Sequence, residues 1–338
     1  MGIDKFIQKF IPEIETGIRT TIQQDIPEPY PGLKEMMNYH FGWVEGTKTS
    51  IPQGKRIRPL SVLLCNTMCG GDWQSALPAA ISIELIHNFS LIHDDIEDES
   101  DLRRGRTTLW KKYGIAQAIN TGDSMFSLAQ INMLKLADNL NFHNALDAFR
   151  KLNETCLILT GGQYLDIEFE NENIVSQDRY MTMVHGKTAA LLSASMEIGA
   201  ITAGANQTQQ EAMKSFGQYL GLAFQIWDDW LGIWGKEEMT GKSSSSDLVS
   251  GKKSLPILYA LNKKGEFSDI YQKNGVSEEN IERLIHLLEI EGSKKFTEET
   301  AKKYTDKAIN SLSSIKHENK EAFDAFLELS FSMLDRKM

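Results

Sequence analysis

The chain has 338 residues, 41% of them hydrophobic and 24% charged, with a formal net charge of -10. That is the composition of an ordinary soluble globular protein, and the acidic balance argues against a nucleic-acid partner, because phosphate backbones select basic surfaces. Cys65, Cys69 and Cys156 form no CxxC pair and suggest neither a disulfide framework nor a zinc knuckle.

In chain order, the opening MGIDKFIQKFIPEIE is amphipathic and carries acids early. This fits neither a secretory signal nor an Arg-rich transit peptide, and no run reads as apolar enough to span a bilayer, so a cytoplasmic location is expected. Residues 1–30 read as an N-terminal helix that Pro27, Pro29 and Pro31 separate from the next, and Gly70 and Gly71 mark a second break. Between Pro78 and Pro256 there is no proline, and Ile81, Leu85, Phe89, Ile92 and Ile96 recur at helical spacing. Strand-type alternation is absent, so the expected fold class is all-α. Residues 235–251, with the run Ser243 to Ser246, lack apolar periodicity and read as an exposed, mobile loop. Pro256 to Leu261 resumes an apolar helix. Ala301, Tyr304, Ala308, Leu312 and Ile315 continue the pattern, and a last amphipathic segment carries Phe323, Phe326 and Leu327. No composition shift and no fixed repeat divides the chain, which gives a single domain over 1–338.

The chemistry concentrates in two acidic pairs. Asp94, Asp95, Glu97 and Asp98 close an apolar helical run, with Asp94 and Asp98 one turn apart, a like-charge arrangement that costs a few tenths of a kcal/mol unless a cation offsets it. Magnesium suits such a place, since it takes hard oxygen ligands, keeps several waters, and is held by one or two carboxylates together with substrate phosphates. Asp228 and Asp229 form a second pair inside an aromatic-rich helical run, with Gln225 on the face of Asp228. Basic groups accompany both pairs: Lys55 and Arg58 in GKRIRP, Arg103 and Arg104, Lys187 beside Thr188, and Lys252 with Lys253. His87, seven residues before Asp94, shares nearly the same helix face, whereas His93 is assigned no role. A solvated helix end or surface cation would explain any one of these residues. Their joint occurrence points to diphosphate chemistry.

The segments GKRIRP, ELIHNFSLIHDDIED, LRRGRTTLW, the GD at Gly122, GGQYLD, GKT, FQIWDDWLGIWG, the GK at Gly241 and GKKSLP stand in an order that resembles the trans-isoprenyl diphosphate synthases, or polyprenyl synthetases, of the geranylgeranyl diphosphate synthase type. The resemblance implies a bundle of antiparallel helices around a deep central cavity, with the acidic motifs facing each other across its mouth, in a homodimer. It implies that Asp94, Asp98 and Asp228 hold magnesium, three ions per active site, with Asp95 and Asp229 in support. Arg103, Lys187 and Lys252 would meet the allylic diphosphate, while Lys55, Arg58, His87 and Arg104 would take isopentenyl diphosphate. Gln163, Asp166, Thr188 and Gln225 match supporting positions, and Lys242 would close the loop. One departure stands out: the second motif has Gly232 where the family carries a third aspartate. Product length would be set before the first motif, and bulky Phe89 with small Ser90 suggests C20, with C15 or C25 next. A terpene cyclase on the same fold and a non-catalytic partner subunit are the alternatives. The cyclase needs no second diphosphate site, and the partner subunit would be free to lose the first acidic motif.

Overall fold

A computed structural model of the chain describes residues 2–43, 56–172, 174–235, 245–313, 315 and 317–334. Its contacts divide it into two compact units, Met1–Glu154 with Ala194–Gln210 and Lys316–Leu329, and Thr155–Ser193 with Glu211–Ile315 and Ser330–Met338. Both are helical, as the apolar spacing predicts.

In the first unit, helix α1 (Ile3–Asp25) buries Phe6, Phe10, Ile14, Ile18 and Ile22, a four-residue repeat that makes one apolar stripe. Helix α2 (Pro31–Phe41) starts on a proline and stops at Gly42 in the left-handed region, and α3 (Ile57–Met68) is almost wholly buried. Helix α4 (Trp73–Glu97) begins at Asp72, whose side chain accepts a hydrogen bond from the Gln74 N–H. It packs on α1, α3 and α6 (Ile115–Leu134). By length and hydropathy α4 could cross a bilayer, contrary to the expectation from sequence, but 61% of the qualifying window is buried inside the protein, as in a core helix. Between α4 and α5 (Leu109–Tyr113) lies an element that the sequence reading missed: an antiparallel hairpin of β1 (Leu102–Arg103) and β2 (Arg106–Thr107).

The second unit holds the C-terminal part of α7 (Phe142–Glu170), then α8 (Gln177–Val184), a π turn at His185–Ala189 and the start of α9 (Ala190–Thr202). It continues with most of α10 (Gln207–Trp234), α11 (Ser246–Val249), α12 (Leu255–Lys263), α13 (Glu266–Asn274), α14 (Ile281–Ile290) and α15 (Ser293–Ser311). The last helix, α16 (Lys320–Leu334), is shared between the units and buries Ala322, Ala325, Phe326, Leu329 and Met333. The segment read as an exposed loop differs in its second half. Residues 236–244 lie outside the described residues, but Ser245, Asp247 and Leu248 are buried, Leu248 completely, against Ile233, Ile257 and Phe267. A helix of four residues is too short to leave a periodic signature. Cys65 and Cys156 are buried and Cys69 partly so, and burial pushes the Cys69 and Cys156 thiols up to about 11 and about 12, the behaviour of structural thiols.

Candidate active site

The first acidic motif ends α4. The Asp98 N–H donates to the Asp94 carbonyl at 2.9 Å, so these two acids stand on successive turns. Their neighbour Asp95 points inward: its side chain is 4% exposed against 22% for Asp94. Arg103 at the base of the hairpin donates from Nε to Asp95 Oδ1 at 2.8 Å and from Nη2 to Asp94 Oδ2 at 3.4 Å. Part of the charge repulsion expected from sequence is therefore offset by the chain itself. Burial holds the Asp95 carboxyl up, to about 6, with Arg103 opposing and the charges of Asp94 and Asp98 adding.

The hairpin turns at Arg104 and Gly105, with φ of 52° and 74°. A two-residue turn of this hand needs positive φ at both central positions, which glycine accepts freely and arginine does not. The strained backbone at Arg104 places its guanidinium among other cations. Arg58 Nη1 lies 3.4 Å from His87 Nε2. Burial, and then the charges of Arg58, Arg104 and Arg103, lower His87 well below the usual histidine range, so its ring is neutral. A concave patch lined by His40, Asp95, Arg103, Arg104 and Arg106 completes the group. The four half-buried guanidiniums of Arg58, Arg103, Arg104 and Arg106 outnumber the carboxylates of Asp94 and Asp95 beside them, an arrangement suited to a multiply charged anion.

A second layer supports this cluster. Arg56, at φ of 48° just before α3, is buried and donates to Glu15 Oε1 and Glu84 Oε1, both at 2.6 Å. Arg56 is thus structural, whereas Arg58 two residues on meets the histidine. Glu84 Oε1 also accepts from Asn88 Nδ2 at 2.8 Å, and Asn88 Oδ1 stands 3.1 Å from His40 Nε2. Glu84 and Asn88 stand one turn apart inside the quoted first motif but were given no role, and His40 carried no signal, because Arg56, which Glu84 accepts from, and His40, which Asn88 meets, lie 28 and 48 residues away.

The second unit builds around a close helix crossing. A Cβ on Gly162 of α7 would come within 2.2 Å of the Lys187 nitrogen, and one on Gly186 within 2.7 Å of the Ile158 carbonyl oxygen. Only glycines let these backbones approach so closely. The π turn that holds Gly186 adds a residue to the helix and redirects Lys187 and Thr188, a use typical of functional sites. Lys187 Nζ reaches Asp166 Oδ2 at 2.5 Å, and Thr188 Oγ1 donates to Gln225 Oε1 at 2.9 Å. Gln225 Nε2 in turn donates to Asp229 Oδ1 at 3.0 Å.

Asp229 is a buried hub. Its Oδ2 accepts from the Tyr180 hydroxyl and from the Leu255 N–H, the latter at 2.8 Å, and Lys252 Nζ stands 3.9 Å from Oδ1. Burial raises its carboxyl, with Lys252, Tyr180, Leu255 and Gln225 opposing. Burial alone would lower Lys252, but the charges of Asp229, Asp247, Asp228 and Asp166 hold it above the ordinary lysine range. Asp228, one residue before the hub, is only partly buried on α10. Tyr180 is a further residue that sequence reasoning missed. Gln163 is partly buried on α7, while Lys55 and Lys242 lie outside the described residues.

Each unit therefore pairs an inner, hydrogen-bonded aspartate with a more accessible one, Asp95 with Asp94 and Asp229 with Asp228. Among the described residues no three His, Cys, Asp or Glu side chains form a ready-made metal cage. The donor set nonetheless fits magnesium, which uses one or two hard carboxylates and completes its shell with water and substrate phosphate.

The profile of the polyprenyl synthetase family matches residues 44–288. The chain belongs to that family. A (2E,6E)-farnesyl diphosphate synthase of Mycobacterium bovis is 35% identical over 95% of this chain and 90% of its own. A geranylgeranyl diphosphate synthase of Mycobacterium tuberculosis is 36% identical over 83% of this chain and 81% of its own. Among solved structures, a polyprenyl synthetase from Streptomyces coelicolor superposes with a TM-score of 0.88 at 32% identity, covering 98% of this chain and 99% of that one. The polyprenyl synthetase described here is accordingly a prenyltransferase of the trans-isoprenyl diphosphate synthase class with the all-α isoprenoid synthase fold.

Proposed function

We propose that this prenyltransferase condenses isopentenyl diphosphate with an allylic diphosphate of C5 to C15, requires magnesium, releases pyrophosphate, and ends chiefly at C20 geranylgeranyl diphosphate. The observation that carries the reading is the pair of cations, Arg58 and Arg104, that flank His87 beside the first acidic motif. A cyclase acts on one diphosphate and has no use for a separate cationic site of this strength.

Magnesium held by Asp94, Asp98 and Asp228 would supply the Lewis-acid stabilisation of the leaving diphosphate. Lys187, Lys252 and Arg103 add fixed positive charge where negative charge develops. Arg58, His87 and Arg104 bind isopentenyl diphosphate, with neutral His87 contributing a hydrogen bond in place of a charge. As pyrophosphate departs, the allylic carbon becomes cationic and the isopentenyl double bond attacks it. A proton then leaves the new bond's neighbour for the released pyrophosphate, so no side-chain nucleophile is needed. Asp95 and Asp229 position Arg103 and Lys252, and Thr188 and Gln225 fix the hub from which Lys252 extends.

Support for C20 comes from Phe89 and its surroundings. Its ring meets Phe126 of α6 at 5.3 Å and His93 at 4.8 Å, while the Ser90 hydroxyl is turned back to the His87 carbonyl. The farnesyl-forming relative keeps C15 as the rival length. The exposed apolar residues Ile115, Ile119, Ile131 and Leu134 on α6 support a homodimer. Products formed from labelled isopentenyl diphosphate with C5, C10 and C15 starters test the reading. We expect a C20 product that disappears when magnesium is chelated, and Phe89→Ala should extend it. A stop at C15 corrects the length, and no incorporation with any starter refutes condensation.

A further inference from the structure

The hairpin that carries Arg103 and Arg104 holds a third arginine, Arg106, which pairs directly with Arg103 across the ladder. Like charges at opposed positions of two strands repel. Here each has acceptors of its own. Arg103 turns to Asp95 and Asp94 at the end of α4, whereas Arg106 donates from Nη1 to the Tyr39 carbonyl and from Nη2 to the His40 carbonyl, the latter at 2.9 Å, in the last turn of α2. The C-terminal end of a helix has carbonyls without an intrahelical partner and a partial negative charge, so it receives a cation as a carboxylate would. We propose that Arg106 is a positioning residue for isopentenyl diphosphate binding: it clamps β2 to α2 and thereby holds the Arg104 guanidinium in the cationic site.

The surroundings carry this further. The contact is reciprocal, since the Tyr39 hydroxyl donates to the Thr107 carbonyl at 2.8 Å and the Arg106 guanidinium lies 5.6 Å from the centre of the Tyr39 ring. Two neighbouring residues of β2 thus grip one residue of α2. Helix α2 is itself tied to α4, because His40 Nε2 stands 3.1 Å from Asn88 Oδ1. Arg104 and Gly105 therefore sit in a closed circuit that leaves α4 through Arg103 and returns to it through Arg106, His40 and Asn88. A strained backbone persists only where its surroundings over-determine it, and Arg104 has a φ of 52°. Arg103 does not depend on the clamp, because its own carboxylates hold it. Removing Arg106 loosens Arg104 and leaves Arg103 in place.

The inference rests on assigning Arg104 to isopentenyl diphosphate, so its test reads that binding directly. Calorimetry of the full chain with isopentenyl diphosphate would be run beside the KM of each substrate and thermal unfolding. Arg106→Gln should weaken isopentenyl diphosphate binding about tenfold, the scale of one charge-assisted contact, and leave the KM of the allylic diphosphate within about twofold. Tyr39→Phe removes one hydroxyl and no charge, and should weaken binding by about threefold with the same selectivity. In an Arg104→Gln background, Arg106→Gln should cost less than about a further twofold, because the clamp then has nothing to position. Should Arg106→Gln fail to fold, Tyr39→Phe decides. Wild-type affinity in the folded variants, an equal loss for both substrates, or a full additional loss in the Arg104→Gln background overturns the proposal, the last by making Arg106 a ligand of the diphosphate itself. A wild type that binds no isopentenyl diphosphate refutes the proposed function together with this role, whereas equal binding by wild type and variants refutes the role alone.

Discussion

His40 shows how a residue with no motif can matter. Its partner Asn88 spends its amide hydrogens on Glu84, whose carbonyl and carboxylate lie at 2.7 and 2.8 Å, so Asn88 Oδ1 faces the ring and His40 Nε2 carries the proton. Burial first, then the charges of Arg103, Arg104 and Arg106, lower His40 to about 3. Between that value and the unfolded value near 6.5, the unfolded chain binds a proton that the native ring refuses. The stabilisation is therefore complete above pH 6.5 and declines as pH falls, by at most about 1.4 kcal/mol per pH unit. His87 acts with the same sign. Urea unfolding at pH 7 and pH 5 should show wild type losing stability on acidification, and His40→Gln should flatten that loss. An unchanged slope in the variant contradicts the assignment. At this scale the aspartates, Arg58, Arg103 and Lys187 could be picked out in the sequence through their joint occurrence and the order of their motifs, since a solvated helix end or surface cation would explain any one of them alone. His40 and Tyr180 were not, because each acts through a partner that is distant in the chain, and Asn88, though inside the first motif, gave no sign that it meets His40.

At the scale of elements, the crossing of α7 with the π turn fixes Lys187 and Thr188. Gly162→Ala would drive a methyl group into the Lys187 and Gly186 backbone, which cannot rotate away as a side chain can. We expect a loss of about 1–3 kcal/mol in denaturant unfolding together with reduced turnover. Gly161→Ala is the control, since nothing lies within 4 Å of its Cβ and alanine favours helix there. Equal midpoints for the two variants would contradict the close-approach argument. The sequence showed GGQ and GKT as motifs but not that their glycines touch. The hairpin was also hidden, since two strands of two residues cannot display alternation, though the Arg104-Gly105 pair is the turn signal it needed. Helix α4, by contrast, was readable from the spacing of Ile81, Leu85 and Ile92.

For the whole molecule, the all-α fold followed from proline-free periodic stretches, and the family follows from motifs that the profile matches over residues 44–288. What composition could not reveal is how the charges are compensated. In each unit one aspartate is tied to neighbouring donors and the other is left more accessible, a division of labour that only packing creates. The central claim is that the accessible members, Asp94 and Asp228, drive departure of pyrophosphate. It is tested most directly by the turnover of Asp94→Ala and Asp228→Ala with an allylic diphosphate, isopentenyl diphosphate and magnesium. Each variant should fall by at least about a hundredfold while unfolding near the wild-type temperature. Turnover within a few-fold of wild type in either folded variant would contradict the account.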